Sequence, residues 1–84
     1  MDFSERLRTI RKSQKLTQKQ VAVGIEVLEQ AYQRYEYGKK IPGIDKLEKL
    51  CRYFNISADY LLGLTDEPRP LDYLVGRSDN PDRT

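Results

Sequence analysis

Residues 28–37 read Leu-Glu-Gln-Ala-Tyr-Gln-Arg-Tyr-Glu-Tyr, and this stretch decides the fold. At about 100° per residue, it predicts a helix with one packing side and one polar side, which we call the reading helix. The packing side is predicted to hold Leu28, Ala31, Tyr32 and Tyr35. The polar side holds Glu29, Gln30, Gln33, Arg34 and Tyr37. Its amide, guanidinium and carboxylate groups are suited to paired hydrogen bonds with the edges of DNA bases.

An ordinary solvated helix face is the alternative, because surface helices carry the same polar residues. The flanking segments favour DNA contact instead. Upstream, Thr17 and Gln20 predict a capping box at the start of a short helix. Downstream, Gly38 is predicted to end the reading helix, and the cations Lys39 and Lys40 follow it. Two short helices joined by a tight turn, the second polar on its outer side, predict a helix-turn-helix.

The other helices follow from apolar spacing and caps. The first is predicted over residues 3–13, with Asp2 and Glu5 forming its capping box. The fourth is predicted over residues 44–54, and its apolar side comprises Ile44, Leu47, Leu50, Cys51 and Phe54. The fifth is predicted over residues 58–62. The expected fold is all-α, a compact five-helix helix-turn-helix domain over residues 1–64.

A tail is predicted over residues 65–84. Two prolines in the sequence Thr-Asp-Glu-Pro-Arg-Pro, residues 65–70, prevent a continuing helix. The apolar run at residues 71–75 is too short to fold alone, so it either docks on its own domain or contacts another chain. Residues 76–84 are polar and are expected to be disordered.

Composition excludes several classes of function. The 84 residues suffice for one small domain. Because Cys51 is the single cysteine and histidine is absent, a disulfide framework, a zinc site and a histidine-based catalytic site are excluded. We therefore expect no enzyme and no cofactor. Neither a leader sequence nor a stretch of membrane-spanning length is recognisable, so we expect a cytoplasmic protein without a membrane partner.

Charge is distributed unevenly along the chain. Residues 1–43 contain nine basic and five acidic side chains, a net charge of +4. Residues 44–84 contain six basic and eight acidic side chains, a net charge of −2. The basic half contains the reading helix, which is the distribution expected of a DNA-facing side.

Several separate stretches together resemble the lambda-repressor-like, Xre-type DNA-binding family. They are Leu16-Thr17-Gln18, Val21-Ala22, Tyr35-Glu36-Tyr37-Gly38-Lys39, Pro42, Leu47, Leu50 and Tyr60-Leu61-Leu62-Gly63. Their spacing is retained from Phe3 to Leu64. The resemblance implies a sequence-specific transcriptional regulator of double-stranded DNA, of the phage or mobile-element repressor type. An interaction module of the same fold, such as an antitoxin or adaptor with an unknown protein partner, is the alternative.

The resemblance also assigns roles to residues. It implies that Gln30, Gln33 and Arg34 read bases, as glutamine pairs with adenine and arginine with guanine. Glu29 falls at a further base-facing position, where a carboxylate is repelled by phosphate unless it accepts from a cytosine amino group. The expected contacts to the DNA backbone are Thr17, Gln18, Tyr37, Lys39 and Lys40. For Tyr37, packing against the following loop is the alternative.

Two further expectations concern charged residues of the first helix. Arg11 and Glu36 match a family pair that ties the first helix to the end of the reading helix. Arg8 and Lys12, on the first helix, are interpreted as solubilising charge.

The turn before the reading helix departs from the family pattern. Glu26 stands where the family usually has glycine, and Leu28 stands where it usually has serine or threonine. Glycine is favoured there because a positive φ is strained for other residues. We therefore expect Glu26 to adopt a positive φ, or Gly24 to form the turn instead and lengthen the reading helix at its start.

One reading helix offers too few base contacts to select a site within a genome, so a homodimer on a two-fold symmetric operator is expected. The dimer contact comes from the fourth and fifth helices or from the tail. We favour the tail residues Leu71, Tyr73, Leu74 and Val75.

Overall fold

Five helices form the part of the chain that the structure describes. The structure is a computed structural model, and it describes residues 2–70. The helices are α1 (Phe3–Ser13), α2 (Gln18–Gly24), α3 (Glu29–Glu36), α4 (Ile44–Phe54) and α5 (Ala58–Leu61). The reading helix is α3, and it packs against both α1 and α2, while α5 packs against α1 and α4. The prediction of an all-α, five-helix domain is confirmed.

Side-chain caps fix where the first two helices begin. The Asp2 carboxylate accepts from the Glu5 N–H at 2.9 Å, and the Glu5 carboxylate accepts from the Asp2 N–H at 3.1 Å. At the start of α2, Thr17 Oγ1 accepts from the Gln20 N–H at 3.0 Å, and Gln20 Oε1 accepts from the Thr17 N–H at 2.8 Å. Both predicted capping boxes are confirmed, and each satisfies two N–H groups that the helix leaves free.

A single apolar cluster joins the five helices. It comprises Leu7, Ile10, Val21, Ala22, Ile25, Tyr32, Tyr35, Leu50, Phe54, Ile56 and Leu61. Tyr32 is fully buried, and its ring meets that of Tyr35 edge to face, with centroids 6.3 Å apart. Cys51 is half-buried against the cluster, and burial raises the pKa of its thiol. It is therefore a small packing residue, as the sequence predicts.

The structure corrects the predicted ends of α3 and α5 and the predicted packing of Ile44 at the start of α4. α3 is one residue shorter at each end than predicted, and Leu28 is its N-cap with a side chain 76% exposed, outside the packing side. Ile44 begins α4 but is 87% exposed, because the first turn of that helix extends past the apolar cluster. α5 ends at Leu61, one residue earlier than predicted, and Leu62 is its C-cap.

The turn between α2 and α3 is built around Glu26. Its φ is +63°, whereas Gly24 remains the last helical residue of α2. The predicted positive φ at Glu26 is confirmed, and the alternative turn at Gly24 is wrong. Glycine is needed at Gly24 for a different reason, since an added Cβ would overlap the ring of Tyr53 on α4. Glu26 also forms an ion pair with Lys49 of α4, 2.5 Å from Nζ to Oε1, which lowers the pKa of Glu26.

A buried carboxylate ties α1, α2 and α3 together. Glu36, the last residue of α3, has no exposed surface. Arg11 of α1 donates to it twice, from Nε to Oε2 at 2.5 Å and from Nη2 to Oε1 at 3.0 Å. Gln18 of α2 donates its Nε2 N–H to Oε1 at 3.0 Å, and the Tyr32 hydroxyl donates to Oε2. Four donated hydrogen bonds from three helices thus compensate the burial of one charge.

These hydrogen bonds decide the charge state of the cluster. Burial alone would raise the pKa of Glu36, but the donors Arg11, Tyr32 and Gln18 together hold it below its ordinary value. The same carboxylate raises the pKa of Arg11, and burial beside it raises the pKa of Tyr32. At neutral pH the cluster therefore contains a carboxylate, a guanidinium and a neutral phenol.

The chain stays in contact with the helices beyond the predicted domain boundary at residue 64. Arg6 of α1 is buried, and it donates to the carbonyl oxygen of Thr65 and to Asp66 Oδ1, both at 2.6 Å. The backbone N–H of Ser57 donates to the carbonyl oxygen of Pro68 at 2.8 Å. Residues 65–68 are thus attached to α1 and to the start of α5.

Replacing Glu26 tests the strain in this turn. Glu26→Gly should raise the midpoint of thermal unfolding by a few degrees, because glycine adopts a positive φ without a Cβ clash. Glu26→Ala is the matched control, since it removes the same ion pair with Lys49 and keeps the strain, and it should lower the midpoint slightly. A Glu26→Gly midpoint at or below that of Glu26→Ala, measured by circular dichroism, would contradict the assignment.

Replacing Arg11 tests the buried cluster. Arg11→Met should lower the free energy of unfolding at pH 7 by about 3–5 kcal/mol, because it leaves the Glu36 charge buried without its cation. Arg52→Met is the control and should change little, since the Arg52–Glu48 pair is exposed. Urea unfolding measures both, and a wild-type value for Arg11→Met would refute the role of this pair.

The same variant has a predicted pH dependence. Because the folded-state pKa of Glu36 is lowered, its contribution in the wild type is present above the unfolded value of about 4.3 and is lost as pH falls below it. Without Arg11, burial raises the pKa of Glu36, and protonation then removes the unpaired charge. The stability difference between wild type and Arg11→Met should therefore shrink as pH falls from 7 to below about 4.

Candidate nucleic-acid interface

Most of the predicted base-reading residues are exposed to solvent on the outer face of α3. Glu29, Gln30 and Arg34 are exposed, and Gln33 is half-buried. Tyr37, the C-cap residue of α3, is 57% exposed. The opposite face of the helix is buried through Tyr32, Tyr35 and Glu36. The helix therefore presents a polar surface whose orientation is fixed by packing and by the Glu36 carboxylate.

Hydrogen bonds link the half-buried Gln33 to the buried cluster. Gln33 donates its Nε2 N–H to Gln18 Oε1 at 3.2 Å, and Gln18 donates its own Nε2 N–H to Glu36 Oε1 at 3.0 Å. Gln18 lies in the first turn of α2, directly after its N-cap Thr17. The amide of Gln33 is thus held against α2, and the start of α2 and the middle of α3 form one continuous polar surface.

The end of α3 places two cations beside this surface. Gly38 has a φ of +73°, which turns the chain out of the helix. The backbone N–H groups of Lys39 and Lys40 both donate to the carbonyl oxygen of Arg34, at 2.9 and 3.3 Å. Both lysine side chains are exposed. Gly38 directly follows the C-cap residue Tyr37, so its predicted role in stopping the helix is confirmed, and the two cations come next in the chain.

Arg8 is a residue whose role the sequence analysis missed. Its Nη1 N–H donates to the backbone carbonyl oxygen of Glu36, so it binds the C-terminal end of α3. The interpretation of Arg8 as solubilising charge is therefore wrong. The signal was available, because Arg8, Arg11 and Lys12 recur at the three- and four-residue spacing that places side chains on one side of a helix.

An open groove brings the cationic side of α1 next to α2 and α3. It is lined by Arg8, Arg11, Lys12, Leu16, Thr17, Gln18, Lys19, Glu29, Glu36 and Tyr37. Lys12 and Lys19 thus join the predicted backbone contacts Thr17, Gln18 and Tyr37 on one surface. Glu29 contributes an exposed carboxylate to the same groove, and Glu36 lies at its base, neutralised by Arg11. Such a surface attracts a polyanion and offers hydrogen-bonding groups to it.

Residues 2–70 lack two other features. This part of the chain contains no cluster of carboxylate or cysteine side chains arranged to bind a metal ion. Its helices include none that is both long enough and apolar enough to cross a membrane.

Comparison with known proteins agrees with this geometry. The family model described as helix-turn-helix matches residues 7–61. An uncharacterized HTH-type transcriptional regulator of Bacillus subtilis, YobD, is 46% identical over 68 residues, which cover 81% of this chain and 61% of YobD. The cryptic phage CTXphi transcriptional repressor RstR of Vibrio cholerae is 35% identical over 54 residues, which cover 64% of this chain and 49% of RstR. The chain thus spans about half to three fifths of these relatives.

A solved structure has the same fold. The P22 c2 repressor, crystallised in complex with a synthetic operator, superimposes with a TM-score of 0.71 at 29% sequence identity. The match covers 74% of this chain and 94% of that chain. The residues matched by the family model include α2, the turn at Glu26 and α3 in full. This chain belongs to the helix-turn-helix family of lambda-repressor-like, Xre-type domains.

Proposed function

We propose that the chain is a sequence-specific transcriptional regulator that binds double-stranded DNA in the cytoplasm, with α3 in the major groove and no catalytic step. The observation that carries this proposal is the exposed polar face of α3, held in a fixed orientation by the buried Glu36 carboxylate. Family membership supports the proposal. The names of RstR and of the P22 c2 protein as repressors favour repression of a phage-type or mobile-element operator.

The exposed side chains of α3 match the chemistry of base edges. Arg34 can donate two hydrogen bonds to guanine, and Gln30 and Gln33 can each pair with adenine. Glu29 can accept from the amino group of cytosine. Gln33 is already held by Gln18, so it meets a base in a pre-arranged orientation, which lowers the entropy lost on binding.

We assign a second set of residues to contacts with the DNA backbone. They flank the outer face of α3 that carries Glu29, Gln30, Gln33 and Arg34, which we call the reading surface. The set comprises Thr17 and Gln18 at the start of α2, and Tyr37, Lys39 and Lys40 at the end of α3. Lys12 and Lys19 line the same groove. Contacts of this kind fix the position of a protein on the duplex without reading sequence, and they make affinity fall as salt rises.

We further infer that the unit on DNA is a homodimer on a two-fold symmetric operator. Three or four base contacts, at about 1–3 kcal/mol each, are too few to select one site among those of a genome, and a second copy doubles them. Leu62 and Leu64, at and after the end of α5, are 51% and 73% exposed and offer one apolar contact. Leu71, Tyr73, Leu74 and Val75, the favoured contact, lie outside the described residues.

Replacing Arg34 and Lys40 tests how the surface reads DNA. Arg34→Ala should lower affinity for a site selected from a random pool by about 5- to 150-fold and relax the preference at one base position, the loss expected of one bidentate contact. Lys40→Ala should weaken selected and random duplexes alike and reduce the salt dependence by about one phosphate contact. Titrations at two salt concentrations measure both variants.

Two outcomes of these titrations would count against the proposal. An equal loss on selected and random DNA for Arg34→Ala would make Arg34 a backbone contact. If the wild-type protein binds no duplex more tightly than random DNA at either salt concentration, the proposed function fails. A protein-interaction module of the same fold would then be the better account.

Truncation tests the tail as the dimer contact. A chain ending at Pro70 keeps the contacts of Thr65, Asp66 and Pro68 with the helices, so it should fold with unchanged stability. It should bind a two-fold symmetric site with lower affinity and without cooperativity, while binding a half-site as the full chain does. Unchanged cooperativity would exclude the tail, and selected sites without two-fold symmetry would exclude the dimer itself.

A further inference from the structure

Leu28 is the N-cap residue of α3, but it does not form the side-chain hydrogen bond that an N-cap residue usually makes. Its backbone is extended, with φ −69° and ψ 147°, and its side chain makes no capping hydrogen bond. Serine, threonine, asparagine and aspartate are preferred at this position, and leucine is among the poorest choices. The N-caps of α1, α2 and α5 follow that preference, and each accepts a hydrogen bond: Asp2, Thr17 and Ser57.

Apolar packing does not explain this leucine either. Its side chain is 76% exposed, whereas Val27 just before it packs against the apolar cluster. Leu28 therefore loses a cap and gains little burial within the folded domain. Neither capping nor packing among residues 2–70 accounts for a leucine at this position, and its exposed side chain is available to a partner outside the chain.

The position of Leu28 indicates which partner that is. It directly precedes Glu29 and Gln30, which are exposed on the reading surface. In a helix-turn-helix, the N-terminal residues of the reading helix are those that contact base edges in the major groove. Base edges in that groove offer hydrogen-bonding groups and one distinctly apolar group, the C5 methyl of thymine.

We propose that Leu28 determines specificity by packing its side chain against the C5 methyl group of a thymine in the operator. The inference rests on the proposed DNA-binding function. It adds apolar readout of thymine to the hydrogen-bonding readout assigned to α3. The contact should contribute about 4- to 15-fold in affinity, the value of one or two methyl-sized groups removed from water.

Deoxyuridine provides a direct test, because it differs from thymidine only in lacking that methyl group. In the selected operator, each thymine is replaced in turn by deoxyuridine, and the dissociation constant is measured for the wild type and for Leu28→Ser. At one thymine in each half-site, the replacement should weaken the wild type about 4- to 15-fold and leave Leu28→Ser unchanged. On the thymine duplex, Leu28→Ser should bind more weakly than the wild type by about the square of that factor, because a homodimer loses the contact in both half-sites.

Stability separates this effect from misfolding. Leu28→Ser should melt at or above the wild-type temperature, since serine restores a capping side chain. Val23→Ser is the matched control, because Val23 is 69% exposed on α2 and does not line the groove beside α3. Val23→Ser should keep the wild-type ratio of thymine to deoxyuridine affinities.

The outcomes distinguish the inference from the function on which it rests. If the wild type selects a site but no deoxyuridine replacement affects wild type and Leu28→Ser differently, the proposed contact is wrong and DNA binding stands. If the wild type selects no site, the proposed function fails and the inference fails with it.

Discussion

The structure depends on one buried charge, the carboxylate of Glu36. An ionised group without exposed surface is costly unless hydrogen bonds and an opposite charge compensate it. Here the compensation comes from Arg11 of α1, Gln18 of α2 and Tyr32 of α3, so any displacement of one helix leaves the carboxylate short of a donor. Arg8 adds a donor to the backbone carbonyl of the same residue. The relative positions of three helices, and hence the orientation of the polar face of α3, are therefore set by a polar cluster as well as by apolar packing.

Much of the fold could be predicted from the sequence because its signals are local. Capping boxes span four residues, and the apolar spacing of a helix repeats within two turns, so α1, α2 and α4 begin where the sequence places them. Leu28 and Ile44 were assigned to packing faces and are exposed. Both lie at the start of a helix. There, periodicity indicates on which side of the helix a side chain lies, but not whether the apolar cluster extends that far.

The candidate site likewise combines features that local sequence predicts with contacts that it does not predict. The polar face of α3 could be predicted from spacing along one helix, although the contacts of its side chains with DNA stay predictions. The bond from Gln33 to Gln18 and the bond from Arg8 to the Glu36 carbonyl join residues 15 and 28 positions apart. No local pattern specifies such contacts, since they depend on how α1, α2 and α3 cross. Arg11 and Glu36, also on separate helices, were paired only through the resemblance to a family.

Two departures from local preference lie close together, in the turn that leads into α3. Glu26 adopts a left-handed conformation that suits glycine, and Leu28 occupies a cap that suits serine or threonine. The neighbouring contacts hold the turn in place, with the Val27 N–H donating to the Ala22 carbonyl at 2.9 Å and Glu26 paired with Lys49. Departures from local preference are expected where a residue serves binding at some expense of stability. The two positions are separable on that basis: residue 26 sets the path of the chain and affects stability, whereas residue 28 faces outward at the start of the reading helix and affects what that helix can bind.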